Sequence, residues 1–306
     1  MMHALSLRRK TTLVSYLFIT PALAFFTVFF VYPCLTSVYY SFTNWDGVAP
    51  TRNYVGFSNF VSIFTNQMLA RTFPITARFA IVNTLLLAFF SLLVALALNR
   101  NNFLTRSLRI LYYIPVTMSG IVIAFLFRQI FAAVYNVETM QMGALNALLH
   151  IVGLGSFARN WLSDPDFAMI CIIVVSLWQS FGFFTLIYLA NLQNIPKDYY
   201  EAADIDGANL WQKFRYITWP QLAPSLTIVL TLLIIGSLKT FELFLAMTEG
   251  GPMGLTKVLS LAIYVAAFQD NRVGLASAYS VVLTVVIAII TISINIYLRK
   301  REDRIS

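Results

Sequence analysis

Six apolar runs, each long enough to cross a hydrocarbon layer, decide what this chain can fold into. A layer about 30 Å thick needs roughly 20 helical residues, and such runs cover residues 11–33, 77–98, 110–131, 167–190, 222–246 and 276–298. Segments such as TLLLAFFSLLVALAL and SVVLTVVIAIITISI are apolar on nearly every face, whereas a membrane β-barrel alternates apolar and polar residues over strands of about ten residues. The pattern predicts an all-α transmembrane fold: six helices in a single membrane domain covering 1–306. Only 11% of the residues are charged and 59% are hydrophobic, against about 25% charged in a soluble domain. A further apolar stretch, LTKVLSLAIYVAAF at 255–268, is too short for a span and reads as an interfacial or re-entrant piece.

Six spans put both ends on one side, and short basic loops stay in the cytoplasm. Arg8, Arg9 and Lys10, Arg100, Arg106 and Arg109, Lys197, Lys213 and Arg215, and Arg299, Lys300, Arg301 and Arg304 make thirteen of the 21 Lys and Arg. All fall in the tails and even-numbered loops, so both termini of this multi-pass chain are expected in the cytoplasm. The net charge of +8 is accounted for by this placement beside span ends, and no nucleic-acid partner is implied. RRK before an apolar run with Ala22-Leu23-Ala24 resembles a signal peptide, but the run continues through Phe30, which favours a retained anchor. Cys34 and Cys171 form no CxxC pair and His3 and His150 are far apart, so neither a metal site nor a disulfide scaffold is supported. Aromatic residues of the outward loops, such as Trp45, Tyr54 and Trp161, fit a membrane-surface belt.

The inward loop 191–221 is the exception to these short connections. Pro196 can open a helix, Asp198 with Glu201 resembles a capping box, and a short helix is expected over 198–206. Gly207 suits a helix end. Asn209 with Gln212 repeats the start signal, and Leu210, Phe214 and Ile217 share one face at helical spacing. The segment reads as helix, glycine turn, helix, lying in water. A lipid-surface anchor is usually basic on its polar face, whereas Glu201, Asp204 and Asp206 make this one acidic.

These residues resemble a known family. Glu201-Ala202-Ala203, three residues, Gly207, nine residues, Ile217, one residue and Trp219-Pro220 is similar to the EAA loop of permease subunits in binding-protein-dependent ABC importers, with Trp219 where that pattern has leucine. Phe241-Glu242 followed by Met247-Thr248-Glu249-Gly250-Gly251-Pro252 is similar to a run at the outer end of the fifth span in maltose and glycerol-3-phosphate permeases. The resemblance implies the six-helix type I importer permease fold with a cytoplasmic coupling helix. It implies as partners a second, homologous but unlike permease subunit, two ATPase subunits that hold ATP and Mg, and an extracytoplasmic solute-binding protein. It also implies that Glu201, Ala202, Ala203, Asp206, Gly207, Ile217 and Pro220 form the handle docked on the ATPase. Gly207 then serves as hinge, as plain helix stop, or as both.

The chain's own chemistry fits that division. A phosphate-cradling loop needs G-x-x-x-x-G-K-[ST], and GGPMGLTK places Leu255 or Thr256 where the second glycine must stand. No HExxH or GxSxG occurs, so no protease or lipase centre is visible. The expected role is transport without an ATPase site or cofactor of its own.

A carbohydrate path needs aromatic faces for ring C–H surfaces and amides or hydroxyls for sugar hydroxyls. Trp178, Gln179, Ser180 and Phe183 on the fourth span offer both, and Gly236, Ser237 and Thr240 form a small polar strip on the fifth. The resemblance implies that these stretches face the path, while small polar residues also serve close helix packing. Lys239 and Glu242, three apart on one helix, are positioned to pair, facing the path or clasping near the outer surface. Oligosaccharide, monosaccharide and glycerol phosphate are not separated by the sequence; a channel or scaffold outside the family is the remaining alternative.

Overall fold

In a computed structural model, the chain is described over residues 16–99, 103–132 and 142–302. Arg8, Arg9, Lys10, Arg100, Arg304 and His3 lie outside the described residues, as do positions 11–15 of the first apolar run. The described residues are almost wholly helical; their β pairing is a bridge between Thr43 and Tyr54. Along the chain come α1 (Tyr16–Tyr40), α2 (Thr72–Ala97), α3 (Phe103–Tyr113), α4 (Gly120–Ile130), α5 (Ala168–Gln193), α6 (Lys197–Ile205), α7 (Leu210–Gln221), α8 (Ala223–Lys239), α9 (Glu242–Thr248), α10 (Leu259–Gln269) and α11 (Val273–Glu302). Shorter helices lie at Ser58–Thr65, Gln67–Ala70 and Ala144–Ile151.

Among the described residues, the helices holding α1, α2, α5 and α11 are long and apolar enough to cross a membrane. The bent pairs α3–α4 and α7–α8 bring the number to six if each is one span. The apolar helix α10 is shorter than a span.

Two apolar runs that the sequence pattern makes continuous are broken. In the run 110–131, Pro115 sits in a 3₁₀ turn at Ile114–Thr117, Met118 and Ser119 are extended, and the axis turns by 96° before α4. Proline lacks the N–H and its ring clashes with the preceding turn, and Gly182 of α5 leaves the room: a Cβ there would stand 2.5 Å from the Tyr112 carbonyl oxygen. The run 222–246 stops being helical at Thr240, which is extended with ψ 123°, and α9 starts only at Glu242. The Thr240 carbonyl accepts a hydrogen bond from Ser260 Oγ at 2.6 Å.

By internal packing the chain divides into two compact units, Met1–Asn66 with Ile263–Val282, and Gln67–Ala262 with Leu283–Ser306. In the first, Asn59 Nδ2 donates to the carbonyls of Ser41 and Thr43 at 2.9 and 2.8 Å. The Gly274 N–H donates to the Trp45 carbonyl at 2.9 Å, an approach open only to glycine because a Cβ would fall 2.0 Å from the Thr43 carbonyl oxygen.

The second unit is built on α2 against α5, with α8 packed on both. Leu87, Ala95, Tyr188, Leu192, Leu222, Val229 and Leu233 form its buried cluster. Asn83 Nδ2 of α2 donates to Ser237 Oγ of α8 at 2.9 Å. Phe79 meets Phe244 of α9 edge to face at 4.8 Å, and Thr76 Oγ1 accepts from the Leu259 N–H at 2.7 Å, serving the amino end of α10.

Gly182→Ala is expected to destabilise the assembled protein by about 1–3 kcal/mol, the usual range for overpacking, because backbone must move. Gly236→Ala, where a Cβ meets nothing within 4 Å, should leave the melting temperature in detergent unchanged; equal melting of the two variants would refute this account of the break.

Candidate functional site

The helix–turn–helix at 197–221 is held by local chemistry. α6 starts after Pro196, with Asp198 in its first turn, and no side chain caps it; the capping box expected of Asp198 and Glu201 is absent because the helix begins one residue before Asp198. At its other end Gly207 takes φ +73°, its N–H donates to the Asp204 carbonyl at 3.2 Å, and the Ala208 N–H reaches back to the Ala203 carbonyl at 2.9 Å. This double closure is the usual left-handed glycine stop.

Asn209 then opens α7 with a reciprocal capping box. Its side chain accepts from the Gln212 N–H at 2.9 Å, while the Gln212 side chain accepts from the Asn209 N–H at 2.7 Å. Lys213 of α7 forms an ion pair with Asp204 of α6, joining the two arms. Tyr200 OH and Thr218 Oγ1 lie 2.9 Å apart, and Tyr200 and Ile217 pack against the buried cluster of α2, α5 and α8.

The outer side of this element is open. Glu201, Ala202, Asp206 and Gly207 are exposed and Ala203, Ile217 and Pro220 half-buried, while Ile205 and Leu210 are 87% and 85% exposed. The single apolar face expected of Leu210, Phe214 and Ile217 does not form: residues 214–218 are wound as π-helix, which changes the angular step, so Leu210 points away while Phe214 and Ile217 turn inward.

A second constellation lies where the two broken runs meet α5. A cavity of about 460 Å³ is lined by Gln179, Ser180 and Phe183 of α5, by Gly236, Lys239 and Thr240 at the end of α8, by Glu242 at the start of α9, and by Val116 and Gly120 from the first break. Gln179, Ser180, Phe183, Gly236, Lys239, Thr240 and Glu242 thus converge from separate stretches of sequence.

Two candidates do not join them. Trp178 lies on another face of α5, 5.3 Å from Phe127 ring to ring and lining apolar grooves; adjacent helical residues point about 100° apart. Ser237 is buried in the α2–α8 contact, hydrogen-bonded to Asn83. The expected helical pairing of Lys239 with Glu242 is also absent: the break at 240–241 separates them, and no ion pair joins them. Sequence reasoning missed Gly120 and Val116, for which Pro115 inside an apolar run was the available signal.

Thr248, Gly250, Gly251 and Pro252 form a tight loop after α9. Glu249 and Gly250 take positive φ, the hydroxyls of Thr248 and buried Thr256 are 2.8 Å apart, and Thr256 Oγ1 donates to the Gly251 carbonyl at 2.5 Å. Arg128 of α4 approaches Glu249 at 3.6 Å. Among the described residues no group of three or more His, Cys, Asp or Glu is placed to hold a metal ion.

Comparison with known proteins assigns the family. Residues 87–306 match the binding-protein-dependent transport system inner membrane component, and the chain belongs to that family. It is 30% identical to the probable starch degradation products transport system permease protein AmyD of Thermoanaerobacterium thermosulfurigenes, across 94% of each chain. It is 31% identical to the trehalose/maltose transport system permease protein MalF of Thermococcus litoralis, again over 94% of each. A bacterial ABC transporter involved in import of the acidic polysaccharide alginate has a chain of the same fold, with TM-score 0.84 and 24% identity over 97% of this chain and 99% of that one. The protein is thus a multi-pass membrane permease with the ABC importer permease fold.

Asn209→Ala should lose about 1 kcal/mol of helix-start stability and speed amide exchange at residues 210–213, with Asn209→Asp retaining most protection. Unchanged exchange in the alanine variant would show that the capping box does not hold this turn.

Proposed function

We propose that the chain is the permease subunit of an ATP-driven importer that passes a carbohydrate, delivered by an extracytoplasmic solute-binding protein, into the cytoplasm by alternating access. The observation that carries this reading is the polar cavity at the junction of α5 with two broken helices, in a chain whose relatives AmyD and MalF bear the names of starch-product and trehalose/maltose permeases. Gln179, Ser180 and Thr240 supply amide and hydroxyl partners for sugar hydroxyls, and Phe183 a ring face. Trp178 and Ser237 act behind them, in packing.

The exposed helix pair is the handle. Glu201, Ala202, Ala203, Asp206 and Gly207 present a small acidic knob to an ATPase subunit, while Ile217 and Pro220 join it to the membrane helices. In this reading both termini are cytoplasmic, an unlike permease subunit completes the path, and two ATPase subunits contribute ATP and Mg. Alternating access requires two states whose balance is shifted by ligands that bind them unequally, and ATP would supply that bias from below. The loop Thr248, Gly250, Gly251 and Pro252 lies toward the binding protein.

The reading is tested by reconstituting the complete transporter with its binding protein in liposomes and measuring ATP-dependent uptake of the sugar that most raises that protein's melting temperature. Uptake by this chain alone, or without ATP, would overturn it. Gly207→Pro, which fixes φ near −65° where +73° is required, should abolish uptake while leaving ATP hydrolysis measurable, and a photo-crosslinker at position 203 should capture the ATPase subunit.

A further inference from the structure

The connection between α4 and α5 carries a surface in which neither the cavity nor the handle has a part. The short helix Ala144–Ile151 leads through a turn at Gly153, where φ is +79°, into a stretch that reaches Phe157. Leu148, Ile151, Val152, Leu154 and Phe157 are between 47% and 82% exposed, and at 100° per residue Leu148 and Ile151 lie on the helix face opposite Asn146. Asn146 is fully buried, and all four of its hydrogen-bonding positions are used. Its Nδ2 donates to the carbonyls of Ala132 and Arg159 at 3.1 and 2.9 Å, and its Oδ1 accepts from the Arg159 N–H at 3.2 Å and from Trp161 Nε1 at 2.7 Å. Ala132 lies just past the end of α4, and Gly143 packs on it so closely that a Cβ would stand 2.7 Å from its carbonyl oxygen. Arg159 lies over the ring of Phe167, the residue before α5, at 4.2 Å. The helix is thus pinned level with the ends of two membrane helices.

We propose that residues 144–157 form an interfacial anchor, with their exposed apolar side chains seated in the boundary between lipid headgroups and acyl chains on the side where α4 ends and α5 begins. Depth favours lipid as the occupant. The pinning sets the segment where the spans leave the hydrocarbon, beside Trp161, whose ring packs edge to face on Phe167 at 5.5 Å and whose residue type belongs at that level. The apolar surface also continues along both tethered helices, with Phe125 and Leu126 exposed on α4 and Ile170 and Val174 on α5. Charge points the same way. From Gly143 to Ala158 the only ionisable side chain is His150, and it is folded back on the turn, where a Cβ on Gly155 would stand 2.5 Å from its Nδ1. The face therefore offers a protein partner no charge to steer or register it. A soluble partner that docks and departs would leave five large apolar side chains in water between visits, at a cost proportional to their area, whereas lipid covers them in every state. Surface helices with a basic polar face draw on anionic lipid; this segment is held by apolar area and by Asn146, so its seating is independent of lipid charge.

The test uses the complete transporter in lipid nanodiscs, with Cys34→Ser and Cys171→Ala so that the native thiols do not report, and Ile151→Cys carrying the fluorophore NBD. Two quenchers are compared: phosphatidylcholine bearing a nitroxide near the top of its acyl chain, and iodide in the water. The nitroxide lipid should quench the label several-fold more than iodide does, with or without the binding protein and ATP, and to the same extent when phosphatidylglycerol replaces part of the phosphatidylcholine. Leu154→Cys, labelled in the same way, should behave alike and serves if the first variant fails to assemble. Quenching by iodide and not by the nitroxide lipid would put the face in water and overturn the proposal. Shielding from both quenchers would show that another protein subunit covers it, and iodide quenching that disappears only when the binding protein is added would assign the face to that protein; either result overturns the proposal. So does nitroxide quenching that requires phosphatidylglycerol, since charge rather than apolar area would then hold the segment.

Discussion

A peptide group facing hydrocarbon without a hydrogen bond costs several kcal/mol, and that cost governs where this chain can leave the helix. Irregular backbone at membrane depth is tolerated only where protein buries it or a polar cavity receives it. The chain does so at 114–119 and at 240–241, and both places are provided for. Ser260 donates to the carbonyl of Thr240, and Gly182 gives the bent segment space against Tyr112. Both breaks border one cavity, lined by Val116 and Gly120 from the first and by Lys239, Thr240 and Glu242 from the second. The cavity and the broken helices share residues: each break contributes to a wall that the unbroken α5 completes with Gln179 and Ser180.

What the sequence made legible follows from which signals are local. Hydropathy is summed over a window, so long helices at α2, α5 and α11 could be read directly from their runs. The turn at Gly207 and the cap at Asn209 were equally readable, since each depends on residues within four positions. Asp198 misled because Pro196 took over the helix start. The breaks were hidden for a different reason. Pro115 marks a possible kink, but whether it bends the axis by 96° depends on Gly182, far away in sequence. Thr240 carries no strong breaking tendency, and its partner Ser260 lies beyond the reach of any local signal.

The candidate cavity shows the same division. Gln179 and Phe183 are four apart on an unbroken helix, so their common face could be counted off, and both line the cavity. The same counting placed Ser237 beside Gly236 and Thr240, yet Asn83 across the α2–α8 contact claims its hydroxyl. A continuous helix would set Lys239 beside Glu242. Once the break is present the i,i+3 geometry no longer applies, and two charges expected to neutralise each other instead stand separately on one cavity wall.

The connection between the exposed helix pair and this cavity runs through one helix, α8, which bears on how the proposed coupling would work. Lys213 ties α7 to α6 through Asp204, and Tyr200 and Ile217 press the pair onto the cluster of α2, α5 and α8. α7 passes into α8 through a bend of 64°, with Pro220 and Pro224 on either side of it, and α8 ends at the break whose residues line the cavity. Packed interiors move between discrete arrangements rather than deforming continuously, so the places able to absorb a displacement are the bend at 221–223 and the break at 240–241. The second of these carries Thr240 and adjoins Glu242. On the proposed function, movement of the ATPase would be felt at the groups that hold the sugar without any signal having to cross the α2–α5 core.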